Sequence, residues 1–235
     1  MADYIYLDIE TGRTQQEMDV SDMQAPPANA DELIGSEPAS YKSDAAKQKW
    51  REERLNKLYA EYHAAVDERY TRTSLEPLHG WTICIGLAVD DAEPVVLWCD
   101  SERDTLELLQ RGLIKYPEAQ IVAYNGMSFD FRWLAVRALH HGLDSLSARV
   151  LPRKRWGTRG LVDPYQAWEA GGYRVKGRLP EVAGFLGYPV TDTVSGADIH
   201  DLFVRGEHDA ITGHVLEDVR MLRHVHRRMV DAGWL

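Results

Sequence analysis

The sequence lacks the features that direct a chain into or across a membrane. No apolar run approaches the roughly 20 residues that a bilayer-spanning helix needs. The first residues do not combine a basic region with an apolar stretch, so we predict no signal peptide. There are only two cysteines, Cys84 and Cys99, and both lie in apolar, strand-like segments, which favours reduced thiols over a disulfide. These absences predict a cytoplasmic protein without a membrane partner.

Positive charge is also scarce. The 235 residues include 27 Lys and Arg against 37 Asp and Glu, which gives a formal net charge of −10. This balance argues against a protein that coats nucleic acid through bulk positive charge. The negative net charge is compatible with an enzyme that binds only a short segment of nucleic acid. A group of acids that binds divalent cations would contribute to this negative charge. The length suits one domain with an elaboration, so we treat 1–235 as a single domain.

The first third of the chain predicts a strand followed by an insertion. Residues 3–10 alternate as a β-strand does, whereas 12–43 are polar and irregular. Ser43 can cap an amphipathic helix that runs to about residue 70. We interpret 12–75 as an insertion made of a loop and this long helix. Packing of the helix onto the core is favoured over an arm that crosses nucleic acid.

The rest of the chain alternates between strand and helix signals. Strands are predicted at 81–91, 94–100, 119–125 and the start of 161–172, and helices at 102–115, 128–142, the end of 161–172, 177–187, 197–205 and 207–231. The first two of these strands form a predicted hairpin, Ser128 is a predicted helix cap, and 143–160 is predicted to be loop. This order predicts an α/β fold with a mixed central sheet flanked by helices.

Two acids occupy one face of the first strand. Asp8 and Glu10 are two residues apart, so both side chains point the same way. Two carboxylates on a central strand repel each other and lose hydration, which is costly unless cations neutralise them. Hard oxygen ligands of this kind suit Mg²⁺ or Mn²⁺. The pair alone is a weak signal, because solvated acids on an edge strand would have the same pattern.

Two further acids stand at places where catalytic groups are often found. Asp130 lies in the first turn of the helix that follows Asn125, although an acid there can simply favour the helix dipole. His214 and Asp218 are four residues apart on the last helix and therefore share a face, as a surface pair would also do. Each of these features alone favours a structural explanation.

Together the three features are more specific. The order Asp-x-Glu, Asn-x-x-x-Phe-Asp and His-x-x-x-Asp resembles the DEDD (DnaQ-like) superfamily of 3′–5′ exonucleases. The resemblance covers the chain outside 12–75. It implies a ribonuclease H-like mixed sheet flanked by helices, with a helical insertion after the first strand. It also implies a phosphodiester hydrolase that releases nucleoside monophosphates from the 3′ end of nucleic acid.

The resemblance further implies that four acids hold two divalent ions, Mg²⁺ or Mn²⁺: Asp8, Glu10, Asp130 and Asp218. By analogy, Asp8 would bridge both ions, and Glu10 and Asp218 would complete the site that activates water. Asp130 would act mostly through contacts around the other ion. Two ions about 4 Å apart stabilise the attacking and the leaving oxygen of an in-line displacement at phosphorus.

His214 departs from the superfamily's pattern. One branch has a tyrosine with three residues before the last acid, and the other has a histidine with four. Here three residues separate His214 from Asp218, so the spacing belongs to the tyrosine branch. Histidine is a common general base, so we predict a catalytic role for His214 over mere replacement of the tyrosine. Segments such as APPAN and LEPLHG are similar to stand-alone exonucleases of phage and prophage, which predicts a prokaryotic or phage-encoded protein.

Candidate substrate contacts lie in two segments. Residues 149–160 combine basic side chains with a tryptophan, which suits phosphates and stacked bases of a single strand, although a solvated basic loop has the same composition. From this segment we single out Arg153, Lys154, Arg155 and Trp156. Met127 and Phe129 could flank the terminal nucleotide or fill the core, and Asn125 could meet substrate or organise the turn.

Two other acids are assigned to helix caps. Asp163 precedes Pro164, and this pair suits a helix start better than a fifth metal ligand. Asp198 is predicted to cap the helix that follows the Ser-Gly-Ala segment. Neither acid is included in the predicted metal site.

Three functions stay open. The first is a metal-dependent 3′–5′ exonuclease acting on single-stranded DNA. The second is a 3′–5′ exoribonuclease, because recognition of the 2′-hydroxyl depends on the shape of the pocket. The third is a non-catalytic, single-strand-binding module of a replication or defence complex. The presence of all four acids favours the two enzymes, and DNA is favoured over RNA.

Overall fold

The computed structural model divides into two compact units. One comprises Met1–Arg13 and Ser74–Leu235, and the other comprises Thr14–Thr73. The residues that the structure describes are 3–17, 34, 40, 42–153, 160–169 and 176–235. In the second unit, helix α1 spans Asp44–Arg72, and the predicted Ser43 cap is confirmed, since its hydroxyl accepts a hydrogen bond from the backbone N–H of Ala46. No residue of α1 is buried.

A five-stranded mixed sheet forms the centre of the first unit. Its strands are β1 (Tyr4–Gly12), β2 (Trp81–Val89), β3 (Val95–Leu97), β4 (Gln120–Val122) and β5 (Leu161–Val162). Their order across the sheet is β3-β2-β1-β4-β5. β1, β2 and β3 are antiparallel neighbours, which confirms the predicted hairpin, whereas β4 and β5 run parallel to β1. The first strand therefore lies in the middle of the sheet, as predicted.

Helices cover both faces of this sheet. They are α2 (Glu102–Ile114), α3 (Asp130–His140), α4 (Asp144–Val150), α5 (Pro164–Trp168), α6 (Leu179–Phe185), α7 (Ile199–Val204) and α8 (His208–Asp231). The predicted mixed sheet flanked by helices is confirmed. None of the helices in the described ranges combines the length and the apolar composition that a bilayer span requires.

The two faces of β1 belong to different cores. Ile5, Leu7 and Ile9 are buried in a cluster that also contains residues of α2, α3 and α4. Tyr6 points the other way and packs with residues of α6 and α8, among them Val219. Side chains alternate along a strand, so Asp8 and Glu10 continue the Tyr6 face. The sheet therefore presents both acids on the side where α8 lies.

Several predicted details are wrong. The segment 143–160 was expected to be loop, but it contains α4, a helix of seven residues that buries only Leu146 and Val150. Ser128 is not the helix cap, because α3 begins at Asp130 and Phe129 occupies the N-cap position. Asp198 occupies the N-cap position directly before α7, as predicted, but its side chain makes no cap hydrogen bond. Both cysteines are free, as predicted.

Candidate active site

The two acids of β1 are presented by a regular stretch of the sheet. Asp8 lies opposite Gly86 of β2, and Glu10 lies opposite Cys84. Directly after Glu10 the register shifts, an irregularity of the kind that often re-aims side chains beside a functional site. Asp8 is half-buried and Glu10 is only 6% exposed. The strand thus holds one half-buried and one buried carboxylate on the same face, as its sequence predicted.

Asp130 reaches the same place from the other side of β1. It is the first residue of α3 and is 4% exposed. Its carboxylate accepts hydrogen bonds from its own backbone N–H and from that of Ile9, the residue between the two strand acids. A helix start next to the parallel strand β4 therefore fixes this acid against the middle of β1.

Helix α8 brings the fourth acid and a histidine. Val215 and Val219 of α8 pack directly over Gly86, where an added Cβ would lie 2.7 Å from Val219 Cγ2 and 2.8 Å from Val215 Cγ2. This close approach places His214 and Asp218 against β1. The Nε2 atom of His214 lies 3.4 Å from Glu10 Oε1 and 3.8 Å from Asp218 Oδ2.

The charges of the four acids act on one another. Burial raises the pKa of Asp8 well above the ordinary aspartate range, and the negative charges of the other three acids raise it further. Burial also raises the pKa of Glu10, with Asp218 and Asp130 as the largest charge contributions. Burial raises the pKa of Asp130 to about 7 and that of Asp218 to about 6. Four carboxylates from three segments of the chain therefore share one buried site.

The donor atoms of this site fit a divalent cation. Glu10, His214 and Asp218 each offer one ligand atom, and these atoms lie within 4.8 Å of one another. The Oδ1 atom of Asp218 is buried and has no hydrogen-bond partner among the described residues. A buried carboxylate oxygen without a partner is costly, and a cation would compensate for it. Oxygen-rich sites of this kind suit Mg²⁺ or Mn²⁺.

Asp163 has a role that the sequence did not reveal. As predicted, it caps α5, since its carboxylate accepts from the backbone N–H of Tyr165. The same carboxylate accepts from the backbone N–H of Asn125 at 2.8 Å and of Met127 at 3.0 Å. Asn125 has a φ of +59°, a conformation that asparagine adopts more readily than most residues. Asp163 therefore holds the turn that leads into Asp130.

Asp192 was also missed. One oxygen of its carboxylate accepts a hydrogen bond from His214 Nδ1, and the other accepts from the backbone N–H of Val194 at 3.0 Å. Burial would raise the pKa of Asp192, but the hydrogen bonds from His214 and from backbone N–H groups lower it below its usual value. A lone acid in a polar loop, 22 residues before its partner, gives no local sequence signal.

The residues predicted to contact substrate differ in how far they are exposed. Met127 is 6% exposed and belongs to the core, which argues for packing rather than nucleotide contact. Phe129 is partly buried, and its ring centroid lies 5.5 Å from that of Trp133. Arg153 is exposed. The other three residues singled out from the basic segment lie outside the described residues: Lys154, Arg155 and Trp156.

Comparison with known families identifies the type of enzyme. A family described as "Predicted 3'-5' exonuclease related to the exonuclease domain of PolB" matches residues 82–229, more than half of the chain. The chain belongs to this family. The predicted superfamily and the predicted enzyme class, a hydrolase of the 3′–5′ exonuclease type, are thereby confirmed. Exonucleases of this kind act on nucleic acid and generally use divalent metals. The match includes Asp130, His214 and Asp218, whereas Asp8 and Glu10 precede it.

Solved structures confirm the fold. The chain is similar to a family B DNA polymerase from the hyperthermophilic archaeon Pyrobaculum calidifontis, with a TM-score of 0.60 and 16% sequence identity. The similarity covers 98% of this chain and 25% of the polymerase, so the chain spans about a quarter of that protein's length. The ribonuclease H-like arrangement of sheet and helices is therefore as predicted. No curated protein matches the chain.

Proposed function

We propose that this protein is a metal-dependent exonuclease that removes nucleoside monophosphates from the 3′ end of single-stranded DNA. The observation that carries the proposal is the convergence of four acids from β1, α3 and α8 in one buried site. Their mutual repulsion and burial raise their pKa values, and bound cations would relieve this strain. The family supports the reaction, and its description, which relates it to a polymerase exonuclease domain, supports DNA as the substrate.

We assign the metal-binding role to Asp8, Glu10, Asp130 and Asp218. Asp8 would bridge two ions, Glu10 and Asp218 would complete one site, and Asp130 would act mainly through contacts around the other. Two divalent ions supply charge that stabilises the attacking and leaving oxygens of an in-line displacement. The water would give up a proton to His214 as its oxygen bonds to phosphorus, and the bond from phosphorus to the O3′ of the preceding nucleotide would break. O3′ would take a proton from solvent to become the new 3′-hydroxyl, and the released nucleotide would keep the phosphate.

His214 is assigned to the attacking water. Its Nε2 atom faces Glu10 and Asp218, the two acids that we place on the water side of the site. Phe129 is assigned to the terminal nucleotide, because it directly precedes Asp130 and its ring is only partly buried. The basic segment that contains Arg153 is assigned to the phosphates of the single strand. Asn125 holds its turn through backbone geometry, as described above.

Digestion of labelled oligonucleotides tests the proposal. With Mg²⁺ or Mn²⁺, a single-stranded DNA labelled at its 5′ end should shorten stepwise from the 3′ end, and a chelator should stop the reaction. Asp8→Asn should lower turnover by at least about 100-fold, because it removes a charged oxygen ligand that both ions share. Asp104→Asn, an exposed acid in the first turn of α2, is the control and should be as active as the wild type.

Matched DNA and RNA strands separate the alternatives. Faster digestion of RNA would replace DNA by RNA in the proposal. Tight binding of either strand without turnover under both metals would instead indicate a binding module. Undiminished digestion by Asp8→Asn would show that the four acids are not the catalytic site.

A further inference from the structure

His214 lies between carboxylates on both of its ring nitrogens. Its side chain is 7% exposed, so water contributes little to its environment. Nδ1 is hydrogen-bonded to Asp192 Oδ2. Nε2 faces Glu10 at 3.4 Å and Asp218 at 3.8 Å, both longer than an ordinary hydrogen bond of about 2.7–3.2 Å. The ring therefore has one tight partner, on the side away from the four acids.

The tight partner determines which nitrogen carries the proton. An ionised carboxylate can only accept a hydrogen bond, so Nδ1 must donate to Asp192. In a neutral ring the other nitrogen then carries a lone pair. Without Asp192, the nearby acids would attract the proton to Nε2, and the ring would face the site as a donor. Asp192 thus competes with Glu10 and Asp218 for the orientation of one imidazole.

Asp192 is itself held in place by a short-range contact. Its Oδ1 accepts from the backbone N–H of Val194 two residues further on, an arrangement typical of aspartate at turns. Its two oxygens therefore have separate partners, and Oδ2 is left for His214. The Nε2 lone pair then faces the carboxylates of Glu10 and Asp218, and all three are hydrogen-bond acceptors. This arrangement is stable only when a hydrogen-bond donor or a cation lies between them.

We propose that Asp192 is a positioning residue, which holds His214 in the tautomer whose Nε2 accepts a hydrogen bond from the attacking water. The inference rests on the proposed exonuclease function and extends it. It also explains how a histidine serves at the spacing where the superfamily's pattern has a tyrosine. A tyrosine hydroxyl can accept through its oxygen without a partner behind it, whereas an imidazole needs its other nitrogen fixed.

The variant Asp192→Asn keeps the shape of the side chain and reverses the direction of its hydrogen bond to His214. Oδ1 already accepts from Val194, so the amide nitrogen takes the place of Oδ2 and donates to Nδ1 of His214. The proton should move to Nε2, which long-range proton–nitrogen NMR of the Mg²⁺-loaded protein detects. We expect kcat to fall by about 10- to 100-fold, the range typical of the outer-shell hydrogen-bond partners of histidines at metal sites, with KM unchanged. Asp198→Asn, an exposed acid nearby in the chain, should alter neither the tautomer nor kcat.

The wild-type spectrum is a second test that does not depend on the folding of a variant. His214 should carry its proton on Nδ1, and a proton on Nε2 would overturn the proposal. A reversed tautomer with unchanged kcat, or a lowered kcat with an unchanged tautomer, would also overturn it. Failure of the proposed function has a different signature, since the wild-type protein would then digest no strand under either metal.

Discussion

Glu102 is a buried acid whose charge is compensated by hydrogen bonds and an ion pair. It lies in the first turn of α2 with its side chain 7% exposed. Its carboxylate accepts from the backbone N–H of Thr82 at 2.7 Å, from Arg137 Nε at 2.9 Å, and faces His141 Nε2 at 2.8 Å. The network joins β2, α2 and the end of α3. Every oxygen is used, so the buried charge is compensated by partners on three elements.

Glu102→Gln should therefore destabilise the protein. Removing one partner of a buried ion pair leaves Arg137 uncompensated, and we expect the free energy of unfolding at pH 7 to fall by about 3 kcal/mol. Urea denaturation measures this change. Glu107→Gln, which breaks an exposed pair with Arg103 on the same helix, should change it by less than about 0.5 kcal/mol. Equal losses in the two variants would contradict the importance of the buried network.

The stability difference between the wild type and Glu102→Gln should depend on pH. Burial alone would raise the pKa of Glu102, but the hydrogen bonds from Arg137, His141 and Thr82 lower it below its ordinary value. A lowered pKa in the folded state stabilises the protein above the unfolded-state pKa of about 4.3, and this stabilisation is lost as the pH falls further. The stability gap between wild type and Glu102→Gln should thus narrow only below about pH 4.

The sequence predicted some residues of the site and missed one. Asp8, Glu10, Asp130 and Asp218 were predicted as one site because their order along the chain is specific. Asp192 has no such signal, since its partner is distant in sequence and the loop around it is irregular. It became recognisable only when folding brought it to His214.

At the scale of elements, the site depends on how closely α8 approaches the sheet. Gly86 of β2 lies opposite Asp8, and the absence of its side chain admits Val215 and Val219 of α8. Long elements such as β1, α1 and α8 were predictable from hydrophobic periodicity. The seven-residue α4 was not, because two buried residues make too short a pattern. The predicted strand at 119–125 is cut to Gln120–Val122, since the chain turns at Asn125.

Gly86→Ala should disturb the site through this contact. The new Cβ would overlap the two valines, and overpacking of this kind costs about 1–3 kcal/mol of stability. The helix that holds Asp218 should shift, and a displacement of about 1 Å can cost roughly 100-fold in turnover. Thermal unfolding and the oligonucleotide assay measure both effects.

Two variants control for this change. Gly112→Ala in α2, where an added Cβ meets nothing within 4 Å, should stabilise the protein by about 0.5–1 kcal/mol. The double variant Gly86→Ala with Val219→Ala should recover part of the lost turnover, because it restores space between helix and sheet. If Gly86→Ala were as active as the wild type, the helix–sheet distance would not be what positions the acids.

At the scale of the whole molecule, the first unit holds the candidate site. It contains the sheet, the buried clusters on both of its faces, and all four acids. The chain leaves this unit after Arg13 and returns at Ser74. These ends are close, because the Thr11 hydroxyl donates a hydrogen bond to the Ser74 carbonyl at 2.6 Å. A linker that replaces Thr14–Thr73 therefore has only a short distance to span.

Replacing Thr14–Thr73 by a short Gly/Ser linker should leave a folded, metal-dependent nuclease. Loop closure costs only about 0.6 kcal/mol per doubling of length, so the linker changes the core's stability little. We expect a cooperative thermal transition within about 4 °C of the wild type, or roughly 1 kcal/mol for a chain of this size. Asp8→Asn in the shortened chain should again lower turnover by at least about 100-fold. Loss of the transition would show that residues 14–73 are part of the core, whereas a folded but inactive chain would place them in substrate binding.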